Sequence, residues 1–173
     1  MNGGVERLFL DYSVKKLEQL AGRIHDCLGR LSDEQIWRRV SDSENAVGNL
    51  VLHLCGNLGQ WIGHGVAGRP DIRRRSEEFQ ERGPVPAAEL RRRLRETVAD
   101  AASIIRALAP ERLSERIVVQ GYEVSVLEAI YHAVEHFAQH TGQIIYATKH
   151  MTGEDLGYYA HLDRASSAGG SLP

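Results

Sequence analysis

The chain has 173 residues, 42% of them hydrophobic and 25% charged, with a net charge of −2, which suits one domain with a sizeable core. The basic runs Arg73–Arg75 and Arg91–Arg93 have acidic neighbours in Glu77, Glu78, Glu89 and Glu96, so they read as solvated faces rather than a nucleic-acid footprint. Cys27 and Cys55 are the two cysteines, both inside apolar helical patterns, which excludes a disulfide framework. No apolar run approaches the roughly 20 residues of a membrane helix. The opening MNGGVERLFLDYSVKK carries no cleavage-site pattern, so the expectation is a soluble, cytoplasmic protein with no membrane or nucleic-acid partner.

A first helix is predicted from Val5 to Gly29, with Leu8, Tyr12, Leu17, Leu20, Ile24, Cys27 and Leu28 on its apolar face. Ser32 to Trp37 reads as a short turn in which Ser32 accepts from the N–H of Gln35. A second helix, capped by Ser43 or Asn45, runs to Gly63 or Gly65, and its four glycines (Gly48, Gly56, Gly59, Gly63) point to close helix contact. Gly65 to Pro86 is a connection of about 20 residues, long enough to suggest a lid or a partner contact. Ala87 to Ala109 forms a third, amphipathic helix. Ile117 to Val124 reads as a short extended excursion or hairpin, with no partner sheet in the sequence, before Ser125 caps a long fourth helix reaching His150. The architecture predicted is an all-α, up-and-down four-helix bundle with one long crossover and a metal site between helices, a single domain over residues 1–162, and a disordered tail over 163–173.

In the fourth helix His132, His136 and His140 recur every four residues, with Gln143 following. Side chains four apart stack on one face, so His136 and His140 can reach a single ion. A third ligand is offered by His53, in a stripe of Asn49, His53, Asn57, Gln60 and His64 along an otherwise apolar or small segment. Burying such a stripe without partners costs a few kcal/mol per group, so it is expected to face a polar site. Three imidazoles with an open position resemble catalytic more than structural zinc. Water on such an ion acidifies to a pKa of about 7, and a thiol can be deprotonated there. A nitrogen-rich set also suits nickel, copper and iron; zinc or nickel is the expectation.

His132-Ala133-Val134-Glu135-His136 also matches H-x-x-E-H, the inverted zinc-peptidase pattern with glutamate as general base. No distant acidic ligand follows it, and the peptidase reading is set aside.

His53 with Trp61 eight residues on, followed downstream by His136, His140, Gly142 and Gln143 as HxxxHxGQ, resembles the DinB-like superfamily over about Leu8 to Tyr159. That superfamily includes YfiT-type metal-dependent hydrolases and thiol-dependent transferases, and this chain looks like an uncharacterised branch of it. The resemblance implies a four-helix bundle, often a homodimer, with a metal ion on His53, His136 and His140. It leaves the small-molecule substrate and any catalytic residue open. No thiol-cofactor recognition motif is matched.

The remaining candidates each carry a second reading. His132 is read as a packed or supporting imidazole, and His64 as a helix-end residue. His25, His150 and His161 are read as surface groups. Asn57, Gln60 and Gln143 suit either ligand orientation or helix packing. Trp61 is read as core and Tyr122 as a loop anchor, with the pocket mouth as its alternative. Two non-enzymatic readings stand beside the enzyme: a metal or small-ligand binding module, and a dimeric scaffold.

Overall fold

The computed structural model describes residues 4–83, 85–160 and 162; His161 and the 163–173 segment expected to be a disordered tail lie outside them. Helix α1 (Val5–Arg30) is followed by a single short turn, α2 (Asp33–Trp37), then α3 (Val47–Leu58), which continues as a π-helical segment over Gly59–Val66. The crossover carries α4 (Arg75–Gln80) and leads to α5 (Ala87–Ala107). A 3₁₀ turn (Pro110–Ser114) and a hairpin of β1 (Arg116–Val119) and β2 (Tyr122–Ser125) precede α6 (Val126–Thr152).

The core follows helical spacing. Leu10, Val14, Leu17, Ala21, Ile24 and Leu28 of α1 are buried, as are Leu90, Leu94, Val98, Ala101 and Ile105 of α5. These recur every three or four residues and make one stripe per helix. Leu8 and Tyr12, expected on the α1 core face, are instead 65% and 61% exposed. At about 100° per residue the stripe through Leu10 and Val14 turns them outward. Leu127 and Tyr131 of α6 are exposed for the same reason.

The long helices pack in a ring, α1 against α5 and α6, and α3 against the same two. Helices α3 and α6 are antiparallel, since His53 meets His136 while Trp61, two turns on, meets the earlier His132. The crossover brings the chain back to the end where α3 began: Trp37 Nε1 donates to the Val85 carbonyl at 3.0 Å, and Ala87 N–H to Asp33 Oδ1 at 2.8 Å. Helix α5 therefore runs in the same direction as α3.

Local chemistry sets the ends of these elements. Ser32 and Gln35 form a reciprocal capping box, as do Ser125 and Glu128 at the start of α6. Gly153 closes α6 at φ 71°, in the left-handed region open to glycine. Gln120 and Gly121, both at positive φ, turn the hairpin. The second long helix departs from expectation in two ways. It starts at Val47, where Ala46 N–H donates to Asn49 Oδ1 at 3.1 Å, not at a Ser43 or Asn45 cap. It also widens to π geometry from Gly59, where three glycines in seven residues weaken α-helical preference.

The glycines of α3 do not bring helices together as expected. A Cβ on Gly48 would strike the Trp37 ring at 2.7 Å, and one on Gly56 would strike Glu78 Oε1 at 1.9 Å. Gly59 and Gly63 face no atom within 4 Å. The close approaches are thus to α2 and to the crossover.

Candidate metal centre

Three imidazoles converge in the α3–α6 seam. His53, His136 and His140 each offer a ring nitrogen, and these three nitrogens lie within 4.8 Å of one another. On α6, His136 is about 100° from the buried Phe137 and about 60° from the buried Ala133, so the histidine row flanks the core stripe. His53 is 4% exposed on the opposing helix. Its ring centroid is 5.0 Å from that of His136 and 5.1 Å from that of His140.

Hydrogen bonds select the nitrogens that face the centre. His53 Nδ1 lies 2.9 Å from Glu78 Oε2; a carboxylate only accepts, so Nδ1 carries the proton and Nε2 keeps its lone pair. Arg73 Nη2 is also 3.0 Å from that Nδ1, but two N–H groups cannot bond each other, and the guanidinium donates to Glu78 instead, at 2.7 and 2.9 Å. His140 Nδ1 donates to Gln143 Oε1 at 2.6 Å, which likewise leaves its Nε2 free. Metal-bound histidines are oriented in this way by a partner on the second ring nitrogen.

His53 Nε2 and His136 Nε2 are 2.9 Å apart, so without an ion His136 Nε2–H donates to His53. His53, His136 and His140 would hold an ion through one ring nitrogen each, and would supply it with three imidazole donors. The donor set fits a first-row divalent ion.

Electrostatics favour the neutral form of His136 and His140. Burial, then the neighbouring His140 and His53, lower the pKa of His136 to about 3. Burial also lowers His140 and His132. Burial raises the Glu78 carboxyl, but hydrogen bonds from Arg73 and His53 outweigh it, so the net shift is downward and the group is an anion. Neutral imidazole is the form that ligates a metal.

Arg73, Glu78 and Phe79 come from the crossover and were not foreseen as site residues. The sequence pattern suggests a solvated face over Arg73–Arg75, yet the Arg73 side chain is 4% exposed and that of Glu78 is 11%. Mutual pairing offsets the cost of burying them, and the bare backbone of Gly56 gives them room. The Phe79 ring lies 4.6 Å from that of His53. A glycine inside an apolar helix and a long crossover were the available signals.

The other candidates fall around this centre. Gln60 is one step further out: its Oε1 accepts from Arg73 Nη1 at 2.9 Å and from Gln120 of the hairpin, while its Nε2 donates to Asp71 at 2.7 Å. Asn57 is buried one turn beyond His53. Trp61 is 4% exposed and packs on His132 with ring centroids 4.0 Å apart. Its Nε1 has no partner among the described residues. His64 Nδ1 donates to the Arg69 carbonyl at 2.6 Å, and His25 is half-buried, not a surface group. Glu135 is exposed. Tyr122 is exposed on β2, without a ring contact or hydrogen bond to the three histidines among the described residues. Cys55 is half-buried on α3, its thiol pushed up to about 11 by desolvation.

One member of the centre, His140, borders a cleft. The cleft, of about 700 Å³, runs between the α2–α3 connection and the C-terminal half of α6, with His140 and Gln143 in its wall.

A bundle of this topology with three histidines across two helices fits a metal-binding DinB-like protein. The fold is similar to that of a conserved protein from Enterococcus faecalis, at TM-score 0.69 and 18% identity over 83% of this chain and 97% of that one. It is also similar to the DinB-like protein YjoA of Bacillus subtilis, at TM-score 0.66 and 15% identity over 86% and 97% of the two chains. No curated protein matches the sequence. The chain belongs to the family described as "Protein of unknown function (DUF1572)", which matches residues 4–160. That family is DinB-like.

Proposed function

We propose that His53, His136 and His140 bind one divalent transition metal ion, zinc or nickel, and that the protein is a metal-dependent hydrolase or thiol transferase. The observation that carries this reading is the pairing of the three-imidazole cluster with a partner for the distal nitrogen of two of its rings, Glu78 for His53 and Gln143 for His140. Such an ion acidifies a bound water or thiol and polarises a carbonyl or phosphoryl group. The chain's own groups aim the imidazoles. Glu78 and Arg73 fix His53, and Gln143 fixes His140.

A catalytic role is favoured over a purely structural ion because His140 lines an open cleft of small-molecule size. The test is chelation followed by far-UV circular dichroism and activity screening with hydrolase and thiol-transfer substrates. A catalytic centre loses turnover and keeps its helices; a structural centre unfolds, since metal-binding energy is then folding energy. By family resemblance the protein is also proposed to be a homodimer in the cytoplasm. A monomer by sedimentation at micromolar concentration contradicts the first of these.

A further inference from the structure

We propose that the cleft beside His140 is a binding site for a small carboxylate with an aromatic or apolar body, held through Arg38 and presented with its other end toward the histidines. The proposal rests on the metal-site reading only for which end reacts.

Four observations support it. The cleft measures about 700 Å³, within the range for small organic ligands and too small for a folded partner. Its floor includes the buried apolar side chains Val47 and Leu50. Its lip is Tyr146, 75% exposed, whose ring lies parallel to that of His150 with centroids 6.4 Å apart. This is a planar apolar surface left in water, which a ligand ring covers favourably.

Charge selects the head group. Arg38 lines the cleft and has no ion-pair or side-chain hydrogen-bond partner among the described residues. The nearby Arg39 is bonded to Asn49 and to the Glu81 carbonyl. Glu44, the carboxylate in the cleft lining, already accepts the Val40 N–H at 2.6 Å. An unpaired guanidinium recognises a carboxylate through two parallel N–H donors.

Gly142 marks the wall of the cleft on α6. It sits in the middle of the 27-residue helix α6, where glycine costs about 1 kcal/mol against alanine. It is exposed in the cleft wall, and a Cβ there would meet nothing within 4 Å. A larger side chain at this position would therefore project into the cleft rather than into the bundle.

The test is an NMR titration of the full-length protein, with and without one equivalent of zinc, using phenylbutyrate as probe and phenylbutanol as its neutral counterpart. Phenylbutyrate is expected to bind at least about fivefold tighter than phenylbutanol. Arg38→Gln is expected to remove that preference and leave phenylbutanol binding unchanged. Gly142→Leu, which also raises helix propensity, is expected to weaken both by about tenfold while zinc content stays at the wild-type level. Equal affinity for the two probes, a preference that survives Arg38→Gln, or unchanged binding in Gly142→Leu overturns the proposal. The zinc-free arm separates this outcome from a failure of the metal reading: carboxylate preference there supports the cleft even if zinc does not bind.

Discussion

His53 Nδ1 and Glu78 Oε2 lie 2.9 Å apart although 25 positions separate them in the chain. The contact joins the bundle to its crossover. It makes His53 an Nδ1–H tautomer with Nε2 turned toward His136 and His140, and it gives a buried carboxylate its second partner beside Arg73.

Glu78→Gln is therefore expected to lower metal affinity by about 10–100-fold while the protein still folds, because an amide oxygen still accepts from Arg73 but lacks the charge that makes the imidazole a better donor. Glu78→Ala is expected to destabilise the protein by about 3 kcal/mol, since it leaves the Arg73 guanidinium buried without a counter-charge. Competition with a chelating dye reads the first and urea unfolding the second. Wild-type affinity in Glu78→Gln contradicts the role given to this carboxylate.

Gly56 and Gly59 make a matched pair. Gly56→Ala drives a methyl into Glu78 Oε1, which a Cβ would approach to 1.9 Å, and is expected to cost about 1–3 kcal/mol and to weaken metal binding. Gly59→Ala meets open space at ordinary helical dihedrals and is expected to stabilise by about 0.5 kcal/mol. Thermal unfolding of the two variants reads the contrast.

Acid should destabilise the metal-free protein earlier than carboxylate titration alone requires. The folded-state pKa of His136 is lowered from 6.5 to about 3, and those of His140 and His132 are lowered too. Below pH 6.5 the unfolded chain thus binds more protons than the native one, so stability falls as pH drops from 6.5 toward 3. His136→Ala is expected to flatten that slope in urea titrations taken across the window. An unchanged slope contradicts a neutral, half-buried His136 imidazole.

His132 turns its ring onto Trp61 and is absent from the converging set. His132→Ala is expected to retain stoichiometric metal and to lose about 1 kcal/mol of stability through the ring contact. Loss of the metal would restore the H-x-x-E-H peptidase alternative.

Helical periodicity carried the four long helices, the Ser125 cap and the His136–His140 pair, because each depends on residues within a turn or two of one another. The polar stripe through His53 carried the third imidazole, since a buried polar row on an apolar helix needs a facing partner. The supporting charges did not follow from local pattern. Arg73 and Glu78 look like any solvated arginine–glutamate run until the crossover folds them onto Gly56, and their burial depends on contacts across the fold. The π segment from Gly59 was hidden for a related reason: glycine content signals a weak α-helix without specifying the geometry that replaces it. The cleft is assembled from the α2–α3 connection and α6, which no single stretch of sequence contains.

The central claim is best tested by elemental analysis of the protein purified without nickel-affinity chromatography, beside the triple variant His53→Ala, His136→Ala and His140→Ala. Close to one metal ion per chain is expected in the native protein and none in the variant, with helical content retained in both. Metal at equal levels in the two, or none in either after reconstitution with zinc and nickel, would contradict it.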